Sequence, residues 1–154
     1  MPKNFSIVIA DTSCFILLDK INEIDLLQKV FGNVTTTLEI SQEFNKPLPR
    51  WVTIKSATNQ RYIELLEIEL DKGEASAIAL ALETDNSLLI LDDQKARKLA
   101  SKLSLNYTGT LGILLKAKEE AVLQTIKPLL NKIQLTNFRF SEKVLNDILK
   151  EANE

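Results

Sequence analysis

Acidic residues follow two predicted strands of this chain at the points where the strands end. Asp11 comes directly after the apolar, β-branched run 5–10, and the pair Asp92 and Asp93 closes the apolar run 88–91. Ligands of an open parallel sheet bind beyond the carboxyl ends of its strands. These carboxylates are therefore predicted to share one rim of a sheet.

Two further acids extend the predicted cluster. Glu74 opens a helix directly after Gly73, and Glu43 lies late in the segment after the second predicted strand. Both reach the same rim if their helices face it. Close carboxylates repel one another, which raises the pKa of one or more of them unless a divalent cation neutralises the group. Carboxylate oxygens suit hard ions, so Mg²⁺ or Mn²⁺ is the expected cofactor.

Each acid also has an ordinary structural explanation. Asp11 and Asp92 suit helix N-caps, and Glu74 in a first turn suits the helix dipole. Glu39 and Glu43 both suit a solvated helix face, and nothing local decides which of them is the second acid. Only the joint pattern favours a metal site over these explanations.

The composition excludes several kinds of chemistry. The 154 residues include no histidine, so Ser-His-Asp triads, Cys-His pairs and imidazole-dependent zinc sites are excluded. The four glycines form neither a dinucleotide-binding fingerprint nor a phosphate loop. The single cysteine, Cys14, fits a reducing compartment. No signal-peptide pattern opens the sequence, so a cytoplasmic location is expected.

A formal net charge of −2 provides no global field that would attract nucleic acid. Lys95, Lys98 and Lys102 nevertheless share one predicted helical face, with Arg97 beside it, directly after Asp93. A solvated face and a phosphate-binding patch both explain this spacing. The apolar runs are far shorter than the roughly 20 residues that span a bilayer, so no membrane segment is expected.

The elements that position these residues alternate between strands and helices. Short β-branched runs predict strands at 5–10, 34–36, 51–54, 88–91 and 105–107. Periodic apolar positions predict helices between and after them, from Asp11 and at 22–31, 38–44, 58–70, 74–83, 95–103, 111–119, 124–135 and 141–152. This order predicts an α/β fold whose central parallel sheet of four to five strands is flanked by helices. The length suits one domain, divided into a core at 1–122 and a C-terminal helical extension at 123–154.

Five segments in order carry a resemblance to a known family; they are Ile9–Ser13, Val34–Glu43, Gly73–Ala81, Leu91–Asp93 with Ala96–Arg97, and Thr108–Gly112. The chain resembles PIN-domain proteins, and more closely their VapC-like branch known as DUF3368. The resemblance implies a metal-binding and catalytic set made of Asp11, Glu43, Glu74 and Asp93, with Asp92 as a further ligand. Ser13 and Thr110, which also suit ordinary turn and capping hydroxyls, would support these acids.

The function that the resemblance implies is a Mg²⁺- or Mn²⁺-dependent endoribonuclease. Such an enzyme directs water at an RNA phosphodiester, leaves a 5′-phosphate and a 3′-hydroxyl, and is the toxin partner of a small antitoxin protein. Its RNA would be bound by the basic helix of Lys95, Arg97, Lys98 and Lys102.

Two other functions remain open at this point. One is a catalytically weak PIN-fold binding or regulatory module, whose mark would be intact folding without affinity for divalent ions. The other, ranked below both, is a phosphoacceptor receiver domain. Such a domain needs a lysine after the last strand, where this chain has Thr108, Gly109 and Thr110.

VapC-like proteins commonly pair, so a homodimer is expected. A two-fold contact needs exposed apolar surface on each copy. The first helices are rich in leucine, and Leu17, Leu18, Leu26 and Leu27 are the predicted contact residues.

Overall fold

A computed structural model of the chain describes residues 5–154 and shows a five-stranded parallel sheet flanked by helices. The N-terminal positions 1–4, part of the segment without a signal-peptide pattern, lie outside the described residues. The strands are β1 (Ile7–Ala10), β2 (Val34–Thr36), β3 (Val52–Ile54), β4 (Ser87–Ile90) and β5 (Asn106–Thr108). The helices are α1 (Thr12–Lys20), α2 (Leu26–Phe31), α3 (Leu38–Phe44), α4 (Gln60–Leu66), α5 (Lys72–Leu82), α6 (Gln94–Lys102), α7 (Thr110–Glu119), α8 (Lys127–Gln134) and α9 (Glu142–Glu151).

The strand order β3-β2-β1-β4-β5 sets where a ligand can bind. The chain winds outward from β1 to β3, then crosses back to lay β4 on the other side of β1, where Ile9 pairs with Leu89. The winding direction therefore reverses between β1 and β4. A crevice at the carboxyl ends of such a strand pair is the usual ligand site of an open α/β sheet. The α/β fold with a parallel sheet is thus confirmed, with five strands.

The centre of the domain is apolar on both β1 and β4. Ile9, Leu89 and Ile90 are fully buried, as expected for parallel strands covered by helices. Helix α5 is alanine-rich and almost entirely buried, packing against α3, α4, β1 and β4. Small side chains allow this close approach. The packing brings the first turn of α5, which contains Glu74, to the carboxyl ends of the strands.

The C-terminal helices pack on the same core as the sheet. Ile126, Leu130 and Ile133 belong to the central apolar cluster, and α9 contacts α7. The side chain of Glu154 accepts hydrogen bonds from the amides of Ile126 and Lys127, which closes the extension onto the start of α8. The division into a core at 1–122 and an extension at 123–154 stays a prediction.

The structure corrects the prediction that a helix begins at Asn22. Helix α1 ends at Lys20, Asn22 has a positive φ of 58°, and α2 begins only at Leu26. Asparagine tolerates the left-handed conformation better than most residues. Asn22 therefore makes the turn between two helices instead of capping one.

The dimer contact predicted on α1 and α2 is also wrong. Leu17, Leu18, Leu26 and Leu27 are all buried in the core of a single chain, because α1 and α2 pack between other elements of the fold. None of the four is free to contact a second copy. Within residues 5–154 no helix combines the length and the apolar character needed to cross a membrane.

Candidate active site

A cleft of about 490 Å³ lies at the carboxyl ends of β1 and β4 and gathers most of the predicted site residues. We call it the acidic cleft; its walls are Asp11, Thr12, Ser13, Ile16, Glu43, Asp71, Glu74, Asp92, Asp93, Phe138, Arg139 and Phe140. All five predicted acids line it. The other lining residues were not predicted from the sequence; they are Thr12, Ile16, Asp71, Arg139 and the two phenylalanines.

Asp11 is the most deeply buried acid of the cleft. It ends β1 and stands at the N-cap position of α1, yet its side chain makes no capping hydrogen bond and is only 4% exposed. Burial raises the pKa of Asp11 to about 7, and the neighbouring charges of Glu74, Asp71 and Glu43 add to that rise. Helix capping therefore does not explain why an acid occupies this position. Burial and the neighbouring carboxylates both make its ionised form unfavourable here.

The first turn of α5 brings two acids to the cleft. Asp71 caps this helix by accepting a hydrogen bond from the amide of Glu74, with 2.8 Å between Oδ1 and the nitrogen. Burial raises the pKa of Glu74 to about 7, and the charges of Asp71 and Asp93 raise it further. The Asp-x-x-Glu spacing of a helix N-terminus was the sequence signal that could have identified Asp71.

Glu43, at the end of α3, is the second acid of the cleft. The hydroxyl of Thr12 donates a hydrogen bond to Glu43 Oε1 at 3.1 Å. Burial raises the pKa of Glu43, although the Thr12 hydrogen bond lowers it. Glu39 stands one turn earlier on α3 and does not line the cleft. Packing thus distinguishes two residues that the sequence left equivalent.

Gly73 makes room for the carboxylate of Glu43. A Cβ atom at this glycine would stand 1.9 Å from Glu43 Oε1 and 3.3 Å from the Thr12 hydroxyl. Any larger residue would therefore displace the end of the Glu43 side chain. The glycine allows α5 to approach α3 closely enough for both helices to present an acid to one cleft.

The adjacent acids Asp92 and Asp93 have different partners. Both oxygens of Asp92 accept hydrogen bonds from Thr110, one from its amide at 2.8 Å and one from its hydroxyl at 2.6 Å. The N-cap of α7 is Gly109, which has no side chain, so Asp92 caps that helix from a neighbouring strand. Asp93 caps α6 through one oxygen, which accepts a hydrogen bond from the amide of Ala96, and its other oxygen has no hydrogen-bond partner among residues 5–154.

We expect Asp92→Ala to lower the free energy of unfolding by about 2 kcal/mol, because it removes a helix cap and leaves the buried Thr110 hydroxyl without its partner. Urea unfolding in EDTA measures this loss. Asp93→Ala is the matched control, since it loses one capping bond and also relieves the repulsion of Glu74. Equal losses in the two variants would contradict the distinct roles of the two acids.

The donor atoms of the cleft suit a hard divalent cation. They are carboxylate and hydroxyl oxygens, and the Ser13 hydroxyl is buried with no hydrogen-bond partner among residues 5–154. In the same range, no three acidic side chains are gathered closely enough to form a complete metal-ion site. The acids therefore line one cleft and match the ion in chemistry, while the coordination sphere itself is not preassembled.

The predicted basic patch lies beside the acidic cleft and not in it. Arg97, Lys98 and Lys102 border a shallow pocket with Tyr107, and the guanidinium of Arg97 lies 5.1 Å from the centre of that ring. Lys95 is exposed on the same helix, outside this pocket. In the described part of the chain, none of the four cations forms an ion pair. They remain available to an anionic partner.

Comparison with known families agrees with this architecture. The family model DUF3368, described as a PIN domain, matches residues 7–154. The match spans all five strands and the C-terminal segment that lines the cleft. No curated protein matches the chain.

Proposed function

The chain belongs to the PIN-domain family, whose members are generally nucleases, and from its acidic cleft we propose that it is a metal-dependent endoribonuclease. The observation that carries the proposal is that Asp11, Glu43, Glu74 and Asp93 line one cleft where the strand order reverses. Four separate elements supply these carboxylates. Burial, together with the neighbouring carboxylates, raises the pKa of Asp11 and of Glu74, a cost that a bound cation would offset.

The residues of the cleft divide into ligands and supports. Asp11, Glu74 and Asp93 would hold Mg²⁺ or Mn²⁺ together with Glu43, which Thr12 orients. A bound ion of this kind lowers the pKa of a coordinated water and neutralises charge on a phosphate. Asp92, predicted as a ligand, is assigned here to positioning, because Thr110 occupies both of its oxygens. The Ser13 hydroxyl, which is buried and has no hydrogen-bond partner among residues 5–154, would support the neighbouring acids as a hydrogen-bond donor.

The more specific parts of the proposal rest on the VapC-like resemblance. They are an RNA substrate, a role as the toxin of a toxin-antitoxin pair and a small antitoxin partner. A cytoplasmic location is proposed because a single cysteine fits a reducing compartment. A homodimer is proposed with a different contact from the one first predicted. Large apolar side chains are exposed in and just after α4, at Tyr62, Leu65 and Ile68. We propose this surface as the dimer contact in place of the buried leucines of α1 and α2. Sedimentation of the wild type against Leu65→Glu with Ile68→Glu tests that contact.

A cleavage assay tests the enzymatic proposal directly. Single-stranded RNA is incubated with the protein in Mn²⁺, in Mg²⁺ and in EDTA, and the ends of the products are identified. We expect fragments with 5′-phosphate and 3′-hydroxyl ends that require the divalent ion.

The alternative is a PIN-fold binding or regulatory module with weak catalysis. It is favoured by the incomplete gathering of the acids within residues 5–154. Intact folding with no cleavage and no thermal shift in millimolar Mn²⁺, an order-of-magnitude concentration for a weak site, would establish this alternative and reject the nuclease.

Gly73→Ala is expected to lower cleavage about 10-fold or more without destabilising the protein. The new Cβ displaces a flexible carboxylate and no backbone, while alanine is favoured over glycine in a helix by up to about 1 kcal/mol. Cleavage rates and urea unfolding measure the two effects. Because the loss acts through Glu43, it should not add to the loss caused by Glu43→Ala. Fully additive losses would show that Gly73 acts in another way.

Replacing Lys95 and Lys98 by glutamate is expected to weaken RNA binding and flatten its salt dependence while leaving the affinity for Mn²⁺ nearly unchanged. Phosphate contacts position a nucleic acid, whereas the acids bind the ion. Filter binding across a salt series and Mn²⁺-dependent melting measure the two affinities. Unaltered RNA binding would place the RNA path elsewhere on the protein, with Lys116 and Lys118 as the next candidates.

A further inference from the structure

A second hollow of about 450 Å³ adjoins the acidic cleft and has no role in the function proposed above. We call it the side hollow. It lies between the start of α7, α6 and the C-terminal segment, and it shares Asp92, Arg139 and Phe140 with the acidic cleft. The two hollows therefore meet at a common wall, so one extended ligand could occupy both.

Arg139 stands on that common wall. Among residues 5–154 it is the sole cation lining the acidic cleft, where six carboxylates also lie, yet it forms an ion pair with none of them. Its Nη1 instead shares its two N–H groups among the main-chain carbonyls of Gln134 at 3.2 Å, Thr136, and Phe138 at 3.0 Å. The guanidinium is thus held in place by one nitrogen, while Nε and Nη2 have no hydrogen-bond partner among residues 5–154.

A fixed arginine with free N–H groups is suited to a phosphate. The planar guanidinium binds phosphate oxygens through paired hydrogen bonds, and little side-chain entropy remains to be lost here because three carbonyls already hold the group. If Arg139 served only to neutralise the acids of the cleft, it would form an ion pair with one of them instead of hydrogen bonds to main-chain carbonyls. The geometry therefore favours an external anion as the partner of Arg139.

The remaining walls of the side hollow suit a nucleobase. Phe140, Leu111, Val144 and Ile148 provide apolar surface, and Gly109 and Gly112 complete the wall beside them. Arg97, the second cation of this hollow, stands over the ring of Tyr107. Aromatic rings beside cations are the usual means of binding unpaired bases and their backbone.

We propose that the side hollow binds the nucleotide adjacent to the cleaved phosphate of a single-stranded RNA. Arg139 binds the phosphate that joins this nucleotide to the one in the acidic cleft, and Phe140 packs against its base. This subsite rests on the proposed nuclease function for its substrate class. It restricts that class to RNA with an unpaired base next to the cut, because a base in a duplex cannot enter a hollow.

Binding of RNA to the whole 154-residue chain tests the subsite separately from cleavage. All variants carry Asp11→Asn so that the RNA stays intact, and fluorescence anisotropy follows a labelled single-stranded oligonucleotide across a salt series. We expect Arg139→Gln to weaken binding about 10-fold and to lower the slope of log K against log salt by about 1. Phe140→Leu, which removes the ring and keeps apolar volume, should weaken binding about 10-fold with the slope unchanged.

Two controls make the result specific. Arg61→Gln applies the same substitution to an exposed arginine of α4 that borders none of the hollows described here, and it should bind RNA like its parent. A duplex of the same sequence should bind the parent about 10-fold more weakly than the single strand. Melting curves confirm that each variant is folded. Because Arg139 is exposed, Arg139→Gln should stay folded and still tests the subsite if Phe140→Leu unfolds.

The outcomes separate the subsite from the nuclease proposal. Equal affinity and slope in Arg139→Gln and its parent, or equal affinity for duplex and single strand, would overturn the subsite even if the wild type cleaves RNA. Arg139-dependent binding by a protein whose wild type cleaves nothing would support the subsite and reject the nuclease.

Discussion

Asp11→Asn should reduce the rate of RNA cleavage at least about 100-fold in saturating Mn²⁺. The substitution keeps the size of the side chain and removes the charge that is most deeply buried in the acidic cleft. Losing a supporting contact of a metal site typically costs 10–100-fold, so losing a ligand should cost at least the upper end of that range, about 100-fold. Single-turnover cleavage of a labelled RNA measures the rate.

Asp85→Asn is the matched control for this loss. Asp85 is exposed in the turn before β4, at the opposite end of the strand from the acidic cleft, and the chemical change is identical. We expect wild-type cleavage and a wild-type response to Mn²⁺ in that variant. If Asp11→Asn cleaved RNA as fast as Asp85→Asn, the metal-site proposal would be rejected for Asp11.

The metal-free protein should lose stability as the pH rises from about 5 to about 8. In the folded state the pKa of Asp11 and that of Glu74 are both raised to about 7 by burial and by neighbouring carboxylates, from ordinary values near 4. Between these values the folded state holds more protons than the unfolded state, so the free energy of unfolding falls with rising pH. Above about 8 both states are ionised and the loss is complete.

The size of this loss is set mainly by Asp11. The rise of the Asp11 pKa from near 4 to about 7 corresponds to about 4 kcal/mol, which is an upper limit for this residue, and the more exposed Glu74 adds less. The pKa of Glu83 and that of Glu154 are lowered in the folded state, so these two residues have the opposite effect and lose stabilisation as the pH falls. That loss occurs below their ordinary pKa and therefore outside this pH window.

Urea unfolding in EDTA at several pH values measures the slope. Asp11→Asn should flatten the dependence and be more stable than the wild type at pH 8, although it is inactive. Saturating Mn²⁺ should reverse the slope of the wild type, because the ionised acids bind the cation and protons compete with it. A stability that is constant or rising from pH 5 to 8 without metal would show that burial and neighbouring charges do not raise the pKa of these acids in the folded protein.

Local patterns in the sequence were sufficient for the order of strands and helices and for the acids at the strand ends. The β-branched runs, the alanine-rich stretch that became α5 and the absence of histidine each act through neighbouring residues or through composition. Turn chemistry misled the prediction at Asn22, where a residue that can cap a helix adopts a left-handed turn. The leucines of α1 and α2 were assigned to a surface because amphipathic spacing does not show how many partners a helix packs against.

By itself the sequence determined an α/β fold and a set of acids able to meet at one edge of a sheet, since both follow from short-range periodicity and strand ends. Only the tertiary structure decided which carboxylate oxygens are free. In the fold, Thr110 donates hydrogen bonds to both oxygens of Asp92, and the Asp11 side chain makes no capping hydrogen bond. The Glu43 carboxylate lies against Gly73. The tertiary structure also brought Arg139 from the C-terminal segment to the same cleft. These contacts join residues far apart in the chain, and they depend on helix packing that no local pattern encodes.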